Sequence, residues 1–380
     1  KSIAIKPDFA EAHNNLKFAI KALMFTKTDS DFMVKTSVDE FNVPALASIN
    51  FALQQFYLNG FRPHEADESL EQVIAALPAV ADETIPIKAI GHQHTAVALL
   101  PNKMVALLHY GRSGSGLLHS LIDGHPKITT LPSVYLRGYF NEGVWDKISV
   151  DGWQKLPAHF ADEFAVLFDA RTSKPIPSRL GEPSISIGDQ EGMTSVGENR
   201  DQFLSLDRGA FCSAALNLME GMKSVDPMSF LMVIHAAFEK VIGAHGSSEP
   251  NKPLCFYHIH NPDDYALANF LRYAPDTQLL ITVREPIQNC ESWLRFSVEK
   301  NNYEECVHRI IGILYGFDQV PFRMRDSVGV RLEDIKSRPE DTMKALCGWL
   351  KVEDSPTLYE MMAQGNKWWG DPSSPDYNKS

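Results

Sequence analysis

Cysteine is scarce and unpaired in this chain. Five residues (Cys212, Cys255, Cys290, Cys306 and Cys347) are scattered along 380, odd in number and without a C-x-x-C pair. That argues against a disulfide framework and for reduced thiols in a cytoplasmic protein. Long apolar runs are missing too, none approaching the roughly 18 residues of a membrane span. No basic and apolar secretory leader opens the sequence. Positive charge is in short supply. The formal net charge is −12, which argues against a general nucleic-acid surface and leaves any anionic ligand to local basic groups. An initiating methionine is also absent, which leaves open a piece of a longer repeat protein.

What is present is ample core. At 44% hydrophobic and 22% charged, the chain suits one large domain or two or three smaller ones. Ala4-Ile5-Lys6-Pro7-Asp8 closes one helix, and Phe9-Ala10-Glu11-Ala12-His13-Asn14-Asn15-Leu16 opens another. The string resembles the junction of two tetratricopeptide repeats, so residues 1–25 are expected to form a partial helical hairpin of that kind. Leu46, Ile49, Leu53 and Phe56, then Leu70, Val73, Ile74 and Leu77, recur at helical spacing. Residues 26–100 therefore read as a helical connector or cap.

From residue 101 the pattern becomes strands (104–110, 253–259, 278–283, 328–332) alternating with helices (115–123, 263–273, 286–299, 339–350). This predicts an α/β domain over 101–380, a doubly wound parallel sheet flanked by helices. Residues 140–250 read as a mostly helical insertion. Within it, 171–200 is rich in Ser, Pro, Gly and charge and shows no periodicity, the mark of a long functional or disordered loop.

The most informative stretch is Met104 to Ile128. An apolar strand runs into Gly111-Arg112-Ser113-Gly114-Ser115-Gly116, and then into the helical pattern Leu117, Leu118, Leu121, Ile122. A strand, a glycine-rich loop and a helix N-terminus turn backbone N–H groups toward an anion. Gly111 and Gly116 keep the G-x-x-x-x-G spacing of the ATP and GTP loop. Leu117 and Leu118, however, stand where that loop carries Lys and a magnesium-binding Ser or Thr. The basic residue is Arg112, inside the loop, with a fixed fork of donors for a phosphate and no requirement for a metal. A second anion site is expected where the strand 279–283 ends at Arg284, followed by Pro286 and, eight residues after the arginine, Ser292.

These motifs resemble those of the sulfotransferases that use 3′-phosphoadenosine 5′-phosphosulfate (PAPS), in a bacterial type with a P-loop fold. In that family a strand precedes (Lys/Arg)-Ser-Gly-(Ser/Thr)-(Ser/Thr), an apolar helix and often a His-Pro pair. Here His125-Pro126 holds the last position, and Gly116 replaces the second hydroxyl residue. Val330 to Ile335 followed by Pro339-Glu340 resembles a further, structural block. The resemblance implies that Arg112, Ser113, Gly114, Ser115 and Gly116 hold the 5′-phosphosulfate. It implies that Arg284 and Ser292 hold the 3′-phosphate, that Lys367 in Gly365 to Gly370 meets phosphate while a Trp stacks on adenine, and that no metal takes part. PAPS would be the co-substrate.

For the general base the resemblance offers two precedents. One is a Glu shortly after the His-Pro pair, but residues 127–134 hold no carboxylate. The other is a strand-end His about two dozen residues before the 3′-phosphate arginine. Tyr257-His258-Ile259-His260-Asn261-Pro262 fits, with His260 lying 24 residues before Arg284. Alternation puts His258 on the same face, and a neutral imidazole suits the task. Asp123 and Glu142 are outside candidates. Arg112 is expected to stabilise the charge that builds on the bridging oxygen.

The expected function is sulfuryl transfer to a hydroxyl or amine of a small-molecule, carbohydrate or protein acceptor. The acceptor pocket falls to 140–250, with a protein partner docking on the N-terminal repeats. Two rivals remain open. One is a P-loop small-molecule kinase. The other is a non-catalytic helical-repeat interaction protein with a degenerate sulfotransferase domain.

Overall fold

Three largely buried apolar runs and a more exposed edge strand make the centre of the molecule. The computed structural model describes residues 84–87, 100–109, 111–133, 135–141, 143–172, 187–243, 252–260, 264–274, 276–299 and 326–372. The expected repeat hairpin of 1–25 lies outside the described residues. So does most of the expected connector, of which Ile85–Pro86 is a short strand paired antiparallel with Ser224–Val225.

The central strands are β1 (Lys103–His109), β2 (Ile128–Thr129), β3 (Leu254–His260), β4 (Gln278–Val283) and β5 (Ser327–Arg331). They form one five-stranded sheet in the order β2-β3-β1-β4-β5. Every pairing within it is parallel. The helices longer than one turn are α1 (Ser115–Ile122), α2 (Val144–Ser149), α3 (Leu156–Glu163), α4 (Arg208–Met219), α5 (Pro227–Gly243), α6 (Asp264–Tyr273), α7 (Pro286–Glu299), α8 (Leu332–Ser337) and α9 (Pro339–Leu350).

Strand alternation divides the apolar residues between two cores. Val105, Leu107, Leu254, Phe256, Leu280 and Val330 pack with Leu118 and Ile122 of α1 and with Met343, Leu346 and Leu350 of α9. Ala106, Leu108, Cys255, Tyr257 and Leu279 face a larger core built with the helical region between β2 and β3. There Phe160 packs between Phe164, Phe211 and Phe230 at centroid distances of 5.0 to 5.8 Å. Local chemistry starts these helices where the sequence asks for them. Asp207 accepts from Ala210 N at 2.7 Å to cap α4, and Pro339 opens α9.

The register places β1 between β3 and β4, with His109 opposite His260 on one side and Thr282 on the other. The loop after β1 therefore emerges beside the loop after β4. In a doubly wound sheet, the carboxyl ends of the central strands are where ligands bind. Among the described residues, no helix is long and apolar enough to cross a membrane.

Candidate functional site

The loop after β1 takes a left-handed path. Gly111, Arg112 and Gly114 have φ of 63°, 56° and 88°, conformations that cost a side-chain-bearing residue about 1–2 kcal/mol. Close packing reinforces the need for glycine. A Cβ on Gly111 would stand 2.4 Å from Cζ2 of Trp293, and one on Gly114 would stand 2.5 Å from Cδ1 of Leu332. Gly116 is different. It lies in the first turn of α1, and its Cβ would meet only Cη2 of Trp368, at 3.6 Å.

Residues from β4 and α7 hold the loop in place. Ser113, buried, shares a hydrogen bond of 2.9 Å with Thr282. Asn289 Nδ2 donates to Gly111 O at 3.4 Å. Arg112 Nε donates to Ser292 Oγ at 3.0 Å, and Arg284 Nη1 donates to Arg112 O at 3.3 Å. The two anion motifs read separately from the sequence are thus one site. Arg284 forms no ion pair among the described residues: Glu291 is taken by Arg295 at 2.7 Å, and Glu285 caps α7 through Gln288 N. Its Nε is buried without a hydrogen-bond partner. The N-terminus of α1 likewise has no side-chain cap. Two guanidinium groups, hydroxyls and an uncapped helix end together have the chemistry that an anion requires.

Other expected site residues lie in different surroundings. His125 is buried, its Nε2 against Glu353 O at 2.9 Å and its Nδ1 accepting from Lys127 N at 3.1 Å. The His-Pro pair is a clamp between the end of α1 and the segment after α9. His258 is buried beneath α1, with Nδ1 3.0 Å from Ser133 Oγ and its ring stacked on His119 at 5.5 Å. His260 is the last residue of β3, beside His109 at the root of the loop. Asp123 accepts from Thr130 Oγ1 and from the Gln364 backbone N–H. Glu142 lies outside the described residues.

Lys367 belongs to a two-strand hairpin, Met362–Ala363 with Asn366–Lys367, turned through Gln364 and Gly365 at φ 49° and 83°. Its partners are Glu198 at 3.2 Å and the Trp369 ring at 4.3 Å, and neither belongs to the loop. Both indole N–H groups are spent on the segment 187–200. Trp368 is buried and donates to Glu191 O at 2.8 Å, and Trp369 donates to Gly197 O at 2.7 Å. In this way the described part of the aperiodic loop, 187–200, is fastened to the hairpin next to Gly116.

Two residues went unnoticed in the sequence. Glu191 sits in that aperiodic loop. Burial and the nearby Asp371 push its carboxyl up to about 8, against the opposing pull of Arg137 and Arg112. His119 lies one turn beyond Gly116 on α1, a spacing that marks the same helix face. Burial holds it below the usual imidazole range, opposed by Asp123 and the Leu131 carbonyl. Its Nε2 is 2.8 Å from Leu131 O. A carbonyl only accepts, so Nε2 carries the proton and Nδ1 keeps its lone pair.

Among the described residues, no group of three His, Cys, Asp or Glu side chains is arranged to hold a metal ion. No model of a known protein family matches the chain, and no curated protein matches it.

Proposed function

We propose that the chain is a sulfotransferase that moves a sulfuryl group from PAPS to a hydroxyl or amine acceptor. The observation that carries this is the convergence of Arg112, Ser292 and Arg284 across 172 to 180 residues of sequence. Two arginines joined through the Arg112 carbonyl, one of them also bonded to the Ser292 hydroxyl, suit a ligand with separate phosphate groups. The orphaned Nε of Arg284 provides a donor for the 3′-phosphate. In this reading Arg112, Ser113, Ser115 and the N–H groups of Gly114 and Gly116 hold the 5′-phosphosulfate. Arg112 then faces the negative charge that grows on the bridging oxygen, where a fixed cation acts without reorganisation.

A magnesium-dependent kinase is disfavoured by Leu118, which occupies the position of the metal-binding hydroxyl and packs fully into the core. The same proposal takes residues 1–25 as a tetratricopeptide-like docking element and the helical region between β2 and β3 as the acceptor side.

Retention on immobilised adenosine 3′,5′-bisphosphate is the test. The wild-type chain should be retained, and Arg112→Ala and Arg284→Ala should each pass through. Retention of both variants as strong as that of the wild type rejects the assignment.

A further inference from the structure

A recess opens beside the end of the phosphate loop, walled by Gly116, His119, Ser133, Met193, Gln364 and Trp368. Its cavity volume is about 10 Å³, room for one water-sized group. Two of its lining side chains carry buried atoms with no hydrogen-bond partner among the described residues, His119 Nδ1 and Gln364 Oε1. Both orphans are acceptors. His119 Nε2–H is committed to Leu131 O. The Gln364 amide N–H groups are committed to Asp123 Oδ1 and to Thr130, at 3.2 to 3.3 Å, which fixes its oxygen as the unused end. An uncompensated buried acceptor costs about 1–3 kcal/mol, and these two share one recess. A water or an amine, with two donors, satisfies both, a hydroxyl satisfies one, and an anion or a carbonyl group satisfies neither.

We propose that this recess seats the nucleophile of the acceptor substrate, an amine donating one N–H to each of His119 Nδ1 and Gln364 Oε1 or a hydroxyl donating its single O–H to His119 Nδ1, and that His119 is the general base. The inference rests on the assignment of Arg112 and Arg284 to PAPS. In the step, a lone pair of the acceptor oxygen or nitrogen forms the new bond to sulfur, and its proton passes to His119 Nδ1. The bond from sulfur to the bridging oxygen breaks, its electron pair staying on the 5′-phosphate of the departing adenosine 3′,5′-bisphosphate. The imidazolium so formed keeps its Nε2–H on Leu131 O, with Asp123 the carboxylate that favours it.

His119→Gln separates this role from a structural one. The Gln amide N–H can replace Nε2–H against Leu131 O, but it leaves no acceptor where Nδ1 stood. Water serves as the acceptor when no other is supplied, so release of labelled sulfate from PAPS is the readout, with adenosine 3′,5′-bisphosphate affinity measured in parallel. Sulfate release should fall at least about 100-fold in His119→Gln, with nucleotide affinity unchanged. Gln364→Met, which removes the second acceptor, should also slow release and leave that affinity intact. A crystal structure of the wild-type chain should show an ordered water bonded to both orphan atoms. Wild-type sulfate release by His119→Gln, a dry recess, or nucleotide binding without any sulfate release overturns the proposal while leaving the PAPS assignment standing. Failure of the wild-type chain to bind the nucleotide overturns both.

Discussion

Replacing Gly111 with Ala puts a methyl group where the structure has no room for one. At φ 63° the new side chain carries left-handed strain of about 1–2 kcal/mol. Its Cβ would stand 2.4 Å from Cζ2 of Trp293 and within 3.4 Å of two more atoms of the same ring. Trp293 is buried, and a rigid indole cannot fold away as the tip of a flexible chain does, so overpacking adds about 1–3 kcal/mol. The expected loss is about 2–5 kcal/mol in chemical denaturation. Trp293 also neighbours Ser292 on α7, so moving the ring disturbs the contact from Ser292 to Arg112, and nucleotide affinity should fall with stability. Gly116→Ser is the matched control. It has no positive φ, its Cβ meets Trp368 at an ordinary 3.6 Å, and Ser is the better helix former by a few tenths of a kcal/mol. Its stability should stay within about 0.5 kcal/mol of the wild type. Its added hydroxyl should tighten nucleotide binding by about 1 kcal/mol, or roughly fivefold. A Gly111→Ala variant destabilised by less than about 1 kcal/mol, or a Gly116→Ser variant destabilised equally, refutes the steric argument.

Further outcomes follow from the same geometry. Ser292→Ala removes the partner of Arg112 Nε and should weaken adenosine 3′,5′-bisphosphate binding by about 1 kcal/mol without altering the circular dichroism spectrum; calorimetry decides. His125→Ala strips two hydrogen bonds from a buried clamp and should cost about 2–4 kcal/mol of stability; denaturant titration checks this. Glu191 is a carboxyl whose folded value lies near 8, above its ordinary range. The stability tied to its proton is present below about pH 4.5 and lost as pH rises through 8, at about 1.4 kcal/mol per unit inside that window. Glu191→Gln should therefore gain most over the wild type near pH 8 and least near pH 5; a thermal-melt difference independent of pH is the contrary result.

The three inner long strands were legible because burial on both faces writes itself as largely unbroken apolar runs, and the four expected strands agree with the observed ones to within one residue at each end. The strand β2 was not, since Ile128 and Thr129 are too few to show a period. The loop was legible at Gly111 and Gly114 because backbone path and packing both forbid a side chain there. The meeting of Arg112 with Arg284 was not, because it depends on β1 and β4 being neighbours, which is a property of strand order. Alternation assigned His258 a face but said nothing about α1 lying over it. Glu191 stands in an aperiodic segment whose ties to Trp368, the hairpin and residues 202–204 have no signature in local sequence. His119 reads as an ordinary helix residue until Leu131 is seen to occupy one of its two nitrogens.

The loop lies between two indoles, Trp293 against Gly111 and Trp368 against Gly116. Both rings are buried, and indole emission responds to charge and solvent within a few ångströms. The protein therefore carries its own optical gauge of the loop. An anion settling between Gly111 and Gly116 will shift ultraviolet emission from both ends of the loop, and Trp293→Phe and Trp368→Phe will separate the two contributions without any attached dye.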